Sequence, residues 1–123
     1  MLDHVGINVS EYERSRNFYE KALEPLGYSL LMEPAAGHCG FGRDGKPDFW
    51  ISAVREPTTE NVHVALASGD RATVDAFHAA ALEAGGTDNG EPGVREHYHP
   101  TYYGAFVRDP DGNNIEVVCH KPE

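Results

Sequence analysis

The sequence predicts an α+β protein of 123 residues, a single domain made of two tandem βαβββ modules, residues 1–55 and 60–123. Three observations predict it. An internal duplication makes His4-Val5 recur as His63-Val64, and at the same offset of 59 Phe18, Ala22, Leu23, Glu24 and Gly27 meet Phe77, Ala81, Leu82, Glu83 and Gly86. Each copy opens with period-2 alternation that gives way to a helical stripe. Further on, Phe41, Arg43 and Asp44 meet Phe106, Arg108 and Asp109 at an offset of 65, so the second copy carries six extra residues, placed in a loop. A unit this small cannot bury its own apolar face, so two must close around each other. The seam between them is where a ligand fits.

In the first copy Val5, Ile7 and Val9 alternate with His4, Gly6 and Asn8, which predicts a strand over 3–9. Ser10, with Glu13 three residues later, forms a capping box for a helix over 11–25, whose stripe of Phe18, Ala22 and Leu26 ends at Gly27. Strands are expected over 28–32, 39–43 and 49–54, separated by Pro34, Gly37, Asp44-Gly45 and Pro47. After a polar connector over 56–60, Val62, Val64 and Leu66 alternate with His63, Ala65 and Ala67 with the same parity. Asp70 is expected to cap the second helix, Val74, Phe77 and Ala81 form its stripe, and Gly85-Gly86 ends it. Residues 87–101, rich in Gly, Pro and charge, read as a long loop with a short strand inside. Strands over 102–107 and 114–120 are joined by the turn Asp109-Pro110-Asp111-Gly112.

Twenty acidic against ten basic residues give a net charge of −10, which opposes nucleic acid and anionic membrane surfaces as partners and leaves a small-molecule substrate as the expected one. No apolar stretch approaches a membrane span, and the first residues alternate like a strand rather than a signal peptide. Two cysteines, Cys39 and Cys119, are too few for a disulfide framework or a cysteine zinc site, so a reduced cytoplasmic protein is expected.

The chemistry concentrates on one strand face. Gly6, Ala65 and Ala67 are small neighbours of His4 and His63, and Glu116 is a lone carboxylate alternating with Ile115 and Val117. A carboxylate among apolar neighbours needs a partner. Two imidazoles and one carboxylate from separate strands form a set that holds a divalent ion on one side and leaves positions open. His4, His63 and Glu116 are therefore the candidate metal ligands, with Zn, Mn, Fe, Ni or Mg as candidate ions. The offset of 65 sets Ile51 opposite Glu116, so the first copy offers no fourth ligand. A slip of one residue would bring Trp50 there, which is no ligand either. Ile51 reads as a wall of the pocket.

This pattern resembles the vicinal oxygen chelate superfamily of glyoxalase I, fosfomycin-resistance proteins, extradiol dioxygenases, methylmalonyl-CoA epimerase and bleomycin-resistance proteins. The resemblance rests on Asp3-His4-Val5-Gly6-Ile7-Asn8-Val9, Ser15-Arg16-Asn17-Phe18-Tyr19, Val62-His63-Val64-Ala65 and, most specifically, the ending from Phe106 to Glu116 with its Asp109-Pro110-Asp111-Gly112-Asn113-Asn114 run. It implies two βαβββ modules curving into an open, barrel-like cup around a metal, in a homodimer, with ligands at His4, His63 and Glu116. Ile51 departs from the second glutamate of glyoxalase I, so a three-ligand enzyme of lyase, isomerase, transferase or dioxygenase type fits better than a four-ligand glyoxalase I. The alternative is a metal-free binder of the bleomycin-resistance type.

An acid or base near the metal is expected from the inserted segment, with His99 and Tyr103 as candidate catalytic residues and His97, Tyr98 and Tyr102 ranked below them. Trp50 reads as core or interface. His38 lies in a Gly-rich loop within reach of the pocket, and His78 and His120 read as surface residues.

Overall fold

Each module is a strand, a helix and a three-stranded meander whose last strand returns parallel to the first. The computed structural model describes residues 1–122. The first module runs β1 (Val5–Asn8), α1 (Tyr12–Ala22), β2 (Ser29–Ala35), β3 (His38–Arg43) and β4 (Lys46–Ser52), in sheet order β1-β4-β3-β2. The second runs β5 (His63–Ala67), α2 (Arg71–Glu83), β6 (Thr87–Val94), β7 (Tyr103–Arg108) and β8 (Asn114–Cys119), in sheet order β5-β8-β7-β6. Both sheets are open and mixed, with β1–β4 and β5–β8 the parallel pairs.

The helices weld the modules together. Phe18, Tyr19 and Ala22 of α1 and Val74, Phe77 and Ala81 of α2 are fully buried, in one cluster with Ile7, Phe41, Phe49 and Ile51 of the first sheet and Val107, Ile115 and Val117 of the second. Burying a side chain such as Phe18 or Phe77 contributes about 1.5–3 kcal/mol. Because alternate strand residues point to opposite faces, the faces bearing His4, Gly6 and Asn8, and His63 and Ala65, lie away from this shared core.

The turn after β7 is more than a reversal. The buried Asp109 carboxylate accepts the backbone N–H groups of Asp111 and Asn113 at 2.9 and 2.8 Å, the Asn113 amide at 3.1 Å, and the hydroxyl of fully buried Tyr19 on α1. Its charge is met by hydrogen bonds rather than by a cation. Asp111 in turn accepts from the Ser10 hydroxyl at 2.5 Å and the Ser10 N–H at 3.1 Å, and Asn113 donates to the Thr59 carbonyl at 3.0 Å. The turn clasps the first module.

Three local expectations are corrected. Ser10 does not cap α1: its hydroxyl is committed to Asp111, the cap position is Glu11 with no side-chain bond, and the helix ends at Ala22 before a 3-10 turn, Glu24–Leu26. By contrast Asp70 caps α2 by accepting the Thr73 N–H at 2.7 Å. Residues 87–94 form the full strand β6, because register shifts around Gly90 let a Gly- and Pro-containing segment pair along β7. His78 is buried, its Nε2 2.9 Å from Asp88 Oδ1, and this hydrogen bond holds the Asp88 carboxyl below its ordinary range.

Candidate functional site

On the second sheet the parallel pairing sets Ala65 beside Glu116, and the antiparallel pairing sets Phe106 on its other side. Glu116 is only 1% exposed. Its Oε1 lies 2.9 Å from His63 Nε2, and its Oε2 accepts the Tyr102 hydroxyl. Glycine at 104 makes room: a Cβ there would stand 3.2 Å from Oε2. No lysine or arginine pairs with Glu116 among the described residues. Burial, followed by the hydrogen bond to Glu116, raises the Tyr102 hydroxyl well above the ordinary tyrosine value, so it keeps its proton and donates at neutral pH.

Tyr102 arrives on a strap between β6 and β7. The strap is closed by the Arg95 N–H to the Tyr102 carbonyl at 2.7 Å and by the Tyr102 N–H to the His99 carbonyl at 3.1 Å. The Arg95 guanidinium lies 5.4 Å over the Phe106 ring, while Tyr98 and His120 pack edge-on against Tyr102 at 4.9 and 5.2 Å. His99 does not touch Glu116. Its Nδ1 accepts from the Thr101 N–H at 3.2 Å and its ring faces His120 at 6.3 Å. Tyr103 turns to the helix side, donating to Asp75 at 2.6 Å beneath Arg71. Strand parity groups Tyr103 with Ala105 and Val107, which are fully buried on the helix side, whereas Tyr102 shares the parity of Gly104 and Phe106 on the face of Glu116.

His4 stands on the first sheet, exposed, its Nδ1 2.8 Å from Asp3, and the Asp3 carboxyl is held below its ordinary range by His4 and then by Lys46. The structure thus brings His63 and Glu116 together and leaves His4 elsewhere. No group of three His, Cys, Asp or Glu side chains converges among the described residues.

Around His4 lies a cavity of ≈ 410 Å³ lined by Gly6, Asn8, His38, Trp50, Ser52 and Arg55. Here the expected register is corrected. Trp50 pairs with Gly6 and Gly40 as Glu116 pairs with Ala65 and Phe106, so Trp50, not Ile51, is the counterpart of Glu116. Ile51 is fully buried in the core cluster and is also among the residues that line the cavity. The offset here is 66, not 65: Gly40 and Phe41 correspond to Phe106 and Val107, so Phe41 is core, whereas Phe106 lies 6.2 Å from His63 on the open face. His38, for its part, stacks on Trp50 at 5.1 Å and 19°.

No helix among the described residues is long and apolar enough to cross a membrane. No curated protein matches the chain. Among solved structures, a glyoxalase/bleomycin resistance protein from Albidiferax ferrireducens T118 is 31% identical over 97% of this chain and 98% of that one, with a TM-score of 0.85. A putative glyoxalase from Bacillus halodurans is 26% identical over 97% and 95%, with a TM-score of 0.69. TioX from Micromonospora sp. ML1 shares the fold at 17% identity over 98% and 99%, with a TM-score of 0.73. The family model of the glyoxalase/bleomycin resistance protein/dioxygenase superfamily matches residues 1–117. With that model spanning nearly the whole length and both βαβββ modules in place, the chain belongs to the glyoxalase/bleomycin resistance protein/dioxygenase superfamily.

Proposed function

We propose that this chain is a metal-dependent enzyme acting on a small oxygenated molecule, with Glu116, His63 and His4 holding a divalent cation. The observation that carries this reading is Glu116: a carboxylate 1% exposed, beside an imidazole at 2.9 Å and without a lysine or arginine partner among the described residues. Such a charge is costly to bury with only His63 and Tyr102 as partners, whereas Asp109 is met by four hydrogen bonds. Carboxylate oxygen with imidazole nitrogen suits Zn, Mn, Fe or Ni, with Mg the poorest match. When bound, the ion would supply Lewis-acid polarisation of two neighbouring substrate oxygens. The chain's own part is to hold a proton on Tyr102 Oη against Glu116, to fix the carboxylate between Tyr102 and His63, and to shield it behind Phe106 and the strap. Trp50 at the counterpart of Glu116 supports a three-ligand enzyme rather than a four-ligand glyoxalase I.

His4 belongs to the first sheet, apart from the pair, so the reading includes a homodimer in which His4 of one copy completes the His63–Glu116 pair of the other. Thermal melts with Mn, Zn and Ni, then with EDTA, test the reading. Stabilisation by about 2.7 kcal/mol is expected at a hundred times the dissociation constant, and is reversed by EDTA. A melt indifferent to all three ions contradicts it.

A second reading, metal-free capture of a small molecule, is favoured by the cavity on the first sheet and its Trp50–His38 stack. Ligand-induced stabilisation unchanged by EDTA, in a protein that takes up no metal, would decide for it.

A further inference from the structure

The cavity on the first sheet has a floor suited to one kind of ligand. Trp50 lies flat across β3 because Gly40 gives it room: a Cβ at Gly40 would come within 2.8 Å of the indole ring. Gly6 on the other side is equally bare, its Cβ position 3.8 Å from the Trp50 Cβ. The indole is therefore part-exposed to the cavity, with His38 stacked on it at 5.1 Å and 19°. Flat rings offer their π-faces to other flat rings.

The rim is cationic in an acidic protein. Arg55 lines the cavity, exposed, with neither ion pair nor hydrogen bond among the described residues, although the chain carries a net charge of −10. Arg14, Arg16 and Lys46, by contrast, are each paired with carboxylates. Ser52 lines the same cavity and is 5% exposed; its hydroxyl accepts the Val54 N–H at 3.4 Å and has no acceptor for its own proton among the described residues. Arg55 and Ser52 are two donors without acceptors beside an aromatic floor.

We infer that the cavity takes a planar aromatic anion, its ring stacked on Trp50 and its carboxylate or comparable anionic group held by Arg55 and Ser52. This rests on reading the open sheet faces as a small-molecule site, and it deepens that reading by naming the ligand class. It does not depend on the cation.

Trp50 is the sole tryptophan, so its fluorescence reports the cavity directly. The probes are 4-nitrobenzoate, 4-nitrobenzyl alcohol as its neutral counterpart, and cyclohexanecarboxylate as an anion without a flat ring. Saturable quenching by 4-nitrobenzoate is expected, with calorimetry giving weaker binding for both other probes. Arg55→Ala, on an exposed loop remote from the core, should weaken 4-nitrobenzoate by about tenfold or more and leave the alcohol unchanged. Gly40→Ala should displace the indole and weaken both aromatic probes. The inference is overturned by absence of saturable binding up to about 10 mM, by cyclohexanecarboxylate binding as tightly, or by indifference to Arg55→Ala. Titrations run in EDTA and again with Zn, beside a separate measurement of metal content, keep the two readings apart. A protein that takes up no metal yet binds 4-nitrobenzoate refutes the metal site alone, and one that takes up metal but ignores the probes refutes the aromatic-anion site alone.

Discussion

Trp50 stands in the first module where Glu116 stands in the second: each is paired across β4 or β8 with a small residue of its module's first strand, Gly6 or Ala65. The duplication has therefore given its two open faces different chemistry. One carries a buried carboxylate with an imidazole and a tyrosine. The other carries an aromatic platform with His4 beside it.

Tyr102 orients the carboxylate, and its loss should show in cation affinity before it shows in the fold. Partners of ligating groups that fix their orientation typically contribute 10–100-fold to metal affinity. Tyr102→Phe should weaken cation binding by about that factor in calorimetric titration. Tyr103→Phe, which loses only a hydroxyl bonded to Asp75, should leave the affinity unchanged.

Sharing of the site between copies can be tested by complementation. Neither His4→Ala nor Glu116→Ala alone should bind the cation. Mixed and refolded together, they form heterodimers with one intact ligand set, and about a quarter of the sites should return if His4 comes from the other copy. No recovery on mixing would contradict a site that His4 completes from the other copy.

The clasp between modules carries stability. Tyr19→Phe removes one hydrogen bond to the buried Asp109 carboxylate, and bonds to charged groups contribute about 1.5–3 kcal/mol. Urea unfolding should show a loss in this range with an unchanged denaturant slope.

Alkaline pH should unfold the protein partly through Tyr28. Burial, then its 3.0 Å bond to Asp48, pushes the Tyr28 hydroxyl up to about 12 from 10.0. The folded state thus favours the neutral phenol, so this contribution is complete below pH 10 and lost as pH rises through about 12. Tyr28→Phe should flatten stability measured over that interval.

The fold was legible because duplication and periodicity agree. The offset of 59 aligned β1 with β5 and α1 with α2, and the stripes named the buried helix residues. Register was harder to read. Two phenylalanines one residue out of register look alike in sequence, so matching Phe41 to Phe106 rather than to Val107 exchanged faces and put Ile51 where Trp50 stands. His63 and Glu116 were legible as neighbours because parallel strands keep parity. The separation of His4 was not, since it depends on how the helices dock. Tyr102 was undervalued because Tyr103 was matched to Ala105 and Val107, which face the core, and Ser10 was taken for a helix cap because its bond to Asp111 spans most of the sequence.

The most direct test of the cation site is elemental analysis of the protein isolated without chelator, beside the Glu116→Ala variant. About one divalent ion per chain is expected in the unaltered protein and none in the variant. Equal metal content in both, or none in the unaltered protein even after incubation with Mn, Zn or Ni, would contradict it.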